Sequence, residues 1–92
     1  MDSIQEKTIE LKELIEKEPL VQEYRRVESL YRNNEEVKQI LKDIDKAIKN
    51  KDETKRKELI ERFNSHPLVT NYMNLKEEVH EFLKEISNSL NI

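Results

Sequence analysis

No glycine occurs anywhere in the 92-residue chain. Glycine-rich phosphate loops, dinucleotide-binding fingerprints and nucleophile elbows each need a backbone position that only glycine fills, so these enzyme signatures are excluded. Cysteine is also absent, which removes disulfides, thiolate nucleophiles and thiolate-held metal centres and is compatible with a reducing compartment. With two prolines and no glycine, helix punctuation has to come from capping side chains. Charged residues make up 40% of the chain, but 17 Lys and Arg nearly balance 20 Asp and Glu. Self-repulsion therefore does not prevent the 35% apolar residues from building one small core, and a single domain over residues 1–92 is expected.

Apolar residues recur at three- and four-residue steps throughout, which is the helical period. Ser3 and Glu6 have capping-box spacing, and Ile4, Thr8, Leu11, Leu14 and Ile15 follow on one face of a helix from about 3 to 17. Pro19 suits the first turn of a second helix carrying Leu20, Val21, Tyr24, Val27, Leu30 and Tyr31. Asn33-Asn34 interrupts it; Asn33 with Glu36 has cap spacing for a third helix presenting Val37, Ile40, Leu41, Ile44, Ala47 and Ile48. Asn50-Lys51-Asp52 reads as a connection, with Asp52 capping a short fourth helix that buries Leu59, Ile60 and Phe63. Alternating two-residue periodicity and Asn-Gly or Asp-Gly hairpin turns are missing, so no strand is predicted. The fold class is all-α: an array or bundle of four to five helices.

The longest element opens at Pro67, where Leu68, Tyr72, Leu75, Val79, Phe82, Ile86 and Leu90 form an a/d-type seam over more than three heptads. A helix from about 67 to 90 spans roughly 36 Å at 1.5 Å per residue, longer than any neighbour in the chain, so part of the seam lacks an internal partner. Self-association follows, at least as a homodimer, with Leu68, Tyr72, Leu75, Val79, Phe82, Leu83 and Ile86 as interface candidates. The competing role for these residues is an intrachain core. Pro19-Leu20-Val21-x-x-Tyr24 reappears as Pro67-Leu68-Val69-x-x-Tyr72 at an offset of 48, with Leu11 and Leu59 at the same offset. The echo reads either as convergent use of proline at the first helical position or as a duplicated helix pair.

Candidate chemistry is sparse. Glu77-x-x-His80 has the spacing used by di-iron bundles, but a full site needs a second such motif and further glutamates, and His80 turns away from the seam. His66, ahead of Pro67, reads as a helix cap or an exposed loop residue, and no nucleophile–base set forms around it. Carboxylate pairs such as Glu35-Glu36 and Glu77-Glu78 lack the desolvated pocket that acid/base catalysis needs. No catalytic, cofactor-binding or metal-ligating residues are assigned. Lys38, Lys42, Lys46 and Lys49 share a face of the third helix and form the one candidate nucleic-acid footprint. A pI near 5.5 and the interspersed Asp43, Asp45, Asp52 and Glu53 favour a solvated face instead. No apolar run approaches a membrane span and Met1-Asp2-Ser3 does not open a signal peptide, so a cytoplasmic chain without membrane insertion is expected.

Pro19-Leu20-Val21-Gln22-Glu23-Tyr24, then Leu30-Tyr31-Arg32-Asn33-Asn34-Glu35-Glu36-Val37, then Ser65-His66-Pro67-Leu68-Val69-Thr70-Asn71-Tyr72 opening a long last helix, together resemble the YlbF/YmcA family of small helical bacterial regulators. In that family a segment ending in a tyrosine precedes a break of a few polar residues and then acidic ones, and an Asn/His-Pro-x-Val-x-x-Tyr run begins the last helix. The resemblance covers roughly residues 10 to 90. It implies an all-helical, non-catalytic protein that forms homodimers or complexes with relatives. It also implies work with a third protein as a specificity factor for a membrane-attached endoribonuclease in messenger RNA maturation, with competence, sporulation and biofilm phenotypes. This chain departs from the pattern twice. It has no cysteine to ligate the iron–sulfur clusters of such a complex, and it is shorter between the third helix and His66-Pro67. The function expected is regulation through helical complexes, with direct nucleic-acid binding by the helix-three lysines as the alternative.

Overall fold

The computed structural model describes residues 3–90, with side chains from residue 9 onward. Five helices follow one another: α1 (Ser3–Lys17), α2 (Pro19–Asn33), α3 (Glu35–Lys49), α4 (Glu53–Ser65) and α5 (Pro67–Leu90). No strand occurs among the described residues, as the unbroken helical period requires. The Ser3–Glu6 capping box lies outside the described side chains.

Three of the four connections are a single residue in nearly the same extended conformation: Glu18 (φ −64, ψ 127), Asn34 (φ −76, ψ 119) and His66 (φ −67, ψ 124). One extended residue ends the i→i−4 ladder and re-aims the chain without a loop. Asn34 Oδ1 accepts the Val37 N–H at 2.9 Å and so caps α3. Asn33, the residue with cap spacing in the sequence, instead donates from Nδ2 to the Ser29 carbonyl, because it still belongs to the last turn of α2. At the last break His66 Nδ1 accepts the Leu68 N–H at 3.2 Å, while Thr70 Oγ1 donates back across it to the Asn64 carbonyl. That leaves the His66 ring proton on Nε2, which faces Glu36 Oε2 at 3.7 Å. The α3 start and the α5 start therefore lie side by side.

At the fourth connection the chain turns back, laying α4 along α3. Lys51 N–H donates to the Ile48 carbonyl and Asp52 N–H to the Ala47 carbonyl, the paired bonds of a Schellman ending. Such an ending needs a left-handed residue, and Lys51 takes it with φ 53. Asp52 then caps α4 through the Lys55 N–H at 3.1 Å, as its position in the sequence predicts.

Helix α2 packs along α5, and α3 along α4, while α1 rests on α2. The long axis of 56 Å is close to α5 and α3 laid end to end, so the α3–α4 hairpin extends the α2–α5 pair rather than folding back on it. The radius of gyration is 18.4 Å, against about 12 Å for a compact chain of this length. Because each helix has essentially one neighbour, only a narrow stripe is buried: Val21, Val27, Val37, Ile40, Ala47, Leu59, Val69, Tyr72 and Val79. Five of these nine are valines, whose short branched side chains allow two helices to approach closely. Larger members of the same sequence faces stay in solvent, among them Leu14, Leu30, Leu41 and Ile48. The two echoed motifs meet in this packing, since Tyr24 stacks on Tyr72 with ring centroids 5.8 Å apart and both Val21 and Val69 are buried.

A left-handed lysine costs about 1–2 kcal/mol relative to glycine at the same position. Lys51→Gly is therefore expected to stabilise the protein by about 1 kcal/mol and to raise the thermal midpoint by roughly 4–8 °C in a melt followed by circular dichroism. An unchanged or lower midpoint would show that the hairpin tip carries no such strain.

Candidate interaction surface

The seam expected on the last helix splits in two. Tyr72 and Val79 are buried within the chain by α2, which lies antiparallel along the first part of α5. Leu68, Leu75, Phe82 and Ile86 are half-buried, and Leu83 is 40% exposed. The physical reason is length: α2 has 15 residues and α5 has 24, so α2 runs out near Pro19 while α5 continues. Beyond that point Leu83, Ile86 and Leu90 prolong the line of Tyr72 and Val79, and among the described residues α2 does not run along them. Leu90 is 64% exposed. Tyr72 and Val79 thus serve the intrachain core, and the remainder of the candidate seam keeps part of its surface in solvent.

Aromatic stacking holds the covered half in register. Tyr72 lies between Tyr31, at 4.3 Å centroid to centroid, and Tyr24, with interplanar angles of 14° and 16°. Phe63 of α4 meets Tyr31 edge-on at 6.4 Å. The stack joins α2, α4 and α5 at the level where the two helix pairs abut. Tyr24 Oη also donates to Glu28 Oε2 at 2.9 Å. The neighbouring Tyr72 hydroxyl, burial and the Glu28 carboxylate together push the Tyr24 hydroxyl well above the usual tyrosine range. Burial, then Tyr72, raises that of Tyr31.

Two open clefts flank α5. One, of about 480 Å³, is formed by Tyr24, Met73, Lys76, His80 and Leu83 and is mostly apolar. The other, of about 620 Å³, has Leu20 and Phe82 at its floor and Glu77, Glu78, Glu81 and Glu85 on its rim. His80 and Glu77 are both exposed, and among the described residues no group of three or more His, Cys, Asp or Glu could hold a metal ion. His66 acts as the helix cap that its position suggests. Lys38, Lys42, Lys46 and Lys49 are all exposed on α3; Lys38 pairs with Glu35 at 3.5 Å and Lys49 with Asp45 at 3.0 Å. Those local pairs give a mixed-sign surface of the kind a solvated helix carries. No helix among the described residues is long and apolar enough to cross a membrane. The exposure of Leu41, Ile48 and Met73 was not readable from spacing, because residues at the margin of an apolar stripe look like core until the width of the neighbouring helix is known.

The tyrosine stack predicts a pH dependence. A raised pKa in the fold means that the neutral hydroxyl is favoured there, so its stabilisation is complete below the ordinary value of 10.0. It is lost as pH rises above that value, where the unfolded chain ionises first. The urea midpoint is expected to fall between about pH 9 and about pH 11, and Tyr24→Phe is expected to flatten that fall. Equal slopes in both proteins would place the alkaline sensitivity elsewhere.

No curated protein and no solved structure matches the chain. A family model does match, over residues 4–91, a span that includes all five helices but for Ser3, the three single-residue breaks and the two Pro-Leu-Val-x-x-Tyr motifs. The chain belongs to the family described as "Control of competence regulator ComK, YlbF/YmcA".

Proposed function

We propose that this protein is a non-catalytic cytoplasmic regulator that acts by forming helical complexes, with a second copy of itself or with relatives, in the control of RNA processing and competence. The observation that carries this reading is the C-terminal third of α5, where Leu83 and Leu90 are exposed and Ile86 half-covered along a line that α2 leaves bare. Apolar side chains held at seam spacing on a rigid helix gain roughly 1.5–3 kcal/mol each when a partner buries them fully. Leu68, Leu75 and Phe82 extend the surface available to a partner, while Tyr72 and Val79 support it from beneath. The family's regulatory description supports a role exercised through protein contacts, and the arrangement of the site offers recognition rather than bond chemistry. The RNA-processing element of the proposal rests on the family resemblance.

Solution mass by light scattering tests it, on the wild type and on Leu83→Glu with Leu90→Glu. Both positions are already solvent-accessible in the single chain, so the variant keeps its helical circular dichroism. The wild type is expected at twice the chain mass of 11.1 kDa, and the variant at the monomer mass, because each subunit of the variant would bury two carboxylates. A wild type that stays monomeric at micromolar concentration, alone and mixed with relatives, overturns the proposal.

A further inference from the structure

We infer that the bare end of α5 is covered by the α3–α4 tip of a second copy, the two chains lying antiparallel so that each tip seats on the other's α5. This rests on the self-association proposed above and specifies which surfaces meet.

Charge distribution carries the argument. Around the tip, residues 45–58 hold Lys46, Lys49, Lys51, Lys55, Arg56 and Lys57 against Asp45, Asp52, Glu53 and Glu58, a net of +2. At the opposite end, residues 77–85 hold Glu77, Glu78, Glu81 and Glu85 against Lys84, a net of −3. Among the described residues Lys46, Lys51, Lys55 and Lys57 make no ion pair, and neither do those four glutamates. The two regions stand at opposite ends of a molecule 56 Å long, several times the roughly 8–10 Å screening length of physiological salt. They cannot neutralise each other within one chain.

Apolar complementarity runs in parallel with the charge. Leu41 and Ile48 are seven residues apart on one line of α3 and are 42% and 53% exposed, with Asp45, paired with Lys49, between them on the same face. The acidic cleft has the opposite design, with Leu20 and Phe82 at its floor and the four glutamates on its rim. Pairing one α5 flank with another, in either direction, sets carboxylate against carboxylate, and such juxtaposition is costly at an interface. An antiparallel twofold arrangement instead brings tip to flank twice, closes on itself, and buries the bare stretch of both copies.

Charge reversal in two parts provides the test. The tip variant carries Lys46→Glu, Lys55→Glu and Lys57→Glu; the flank variant carries Glu78→Lys, Glu81→Lys and Glu85→Lys, all at exposed positions. Each alone is expected to dimerise at least about tenfold more weakly than wild type at low salt, measured by analytical ultracentrifugation. An equimolar mixture is expected to recover a tight heterodimer, because both of its contacts then join opposite charges. A tip variant that dimerises like the wild type, or a mixture that stays monomeric, overturns this arrangement while leaving self-association in place. A monomeric wild type overturns self-association itself.

Discussion

Everything in this molecule depends on turning helices with a single extended residue. A chain without glycine has few inexpensive ways to reverse direction, and this one turns α4 back along α3 at Lys51, in left-handed backbone. Elsewhere Glu18, Asn34 and His66 each redirect a helix without a loop. Helices joined in this way cannot wrap round a common centre, so they pair end to end into a rod. A rod buries only narrow stripes, and narrow stripes favour valine, which explains a core built from Val21, Val27, Val37, Val69 and Val79. The larger aliphatic residues are displaced to the margins, where they become available for contacts between chains.

Much of this was legible in the sequence. Local chemistry fixes helix ends, and so the boundaries at Lys17, Pro19, Lys49, Asp52 and Pro67 follow from caps and prolines that act within a few residues. Asn33 and Asn34 were indistinguishable at that level, since either asparagine can cap; the difference lies in where the preceding ladder ends, and that is set by packing. Composition and period also gave the all-helical class. They could not give the pairing, because an apolar stripe is the same whether α2, a second chain or solvent lies opposite. Tyr72 and Val79 illustrate the point: they share the heptad line with Leu83 and Ile86, yet a difference in length between two helices places them on opposite sides of the boundary between core and surface.

The tyrosine stack occupies the level at which the two helix pairs abut. Tyr24 and Tyr72 come from echoed motifs 48 residues apart, and their contact makes the echo a structural fact: α2 and α5 present equivalent turns to each other across the pair. That self-matching contact is the kind an early symmetric pairing of identical helix–break–helix units would produce, and convergent packing would produce it as well. Either way, Tyr31 and Phe63 extend the stack to α4 and couple the α3–α4 hairpin to the rest of the rod.

The single-residue breaks also determine where such a chain can change length. Deleting one residue within α2 rotates the two sides of the deletion by about 100° relative to each other and moves buried valines into water. The α3–α4 hairpin is exempt, since its far end is free. Removing a turn from each arm shortens it by about 5.4 Å and leaves α2, α5 and the stack in place. The segment between the third helix and His66 falls in that exempt region. Reach, the distance from the stack to the lysine-rich tip, is therefore set by the lengths of α3 and α4 independently of the rod that carries it.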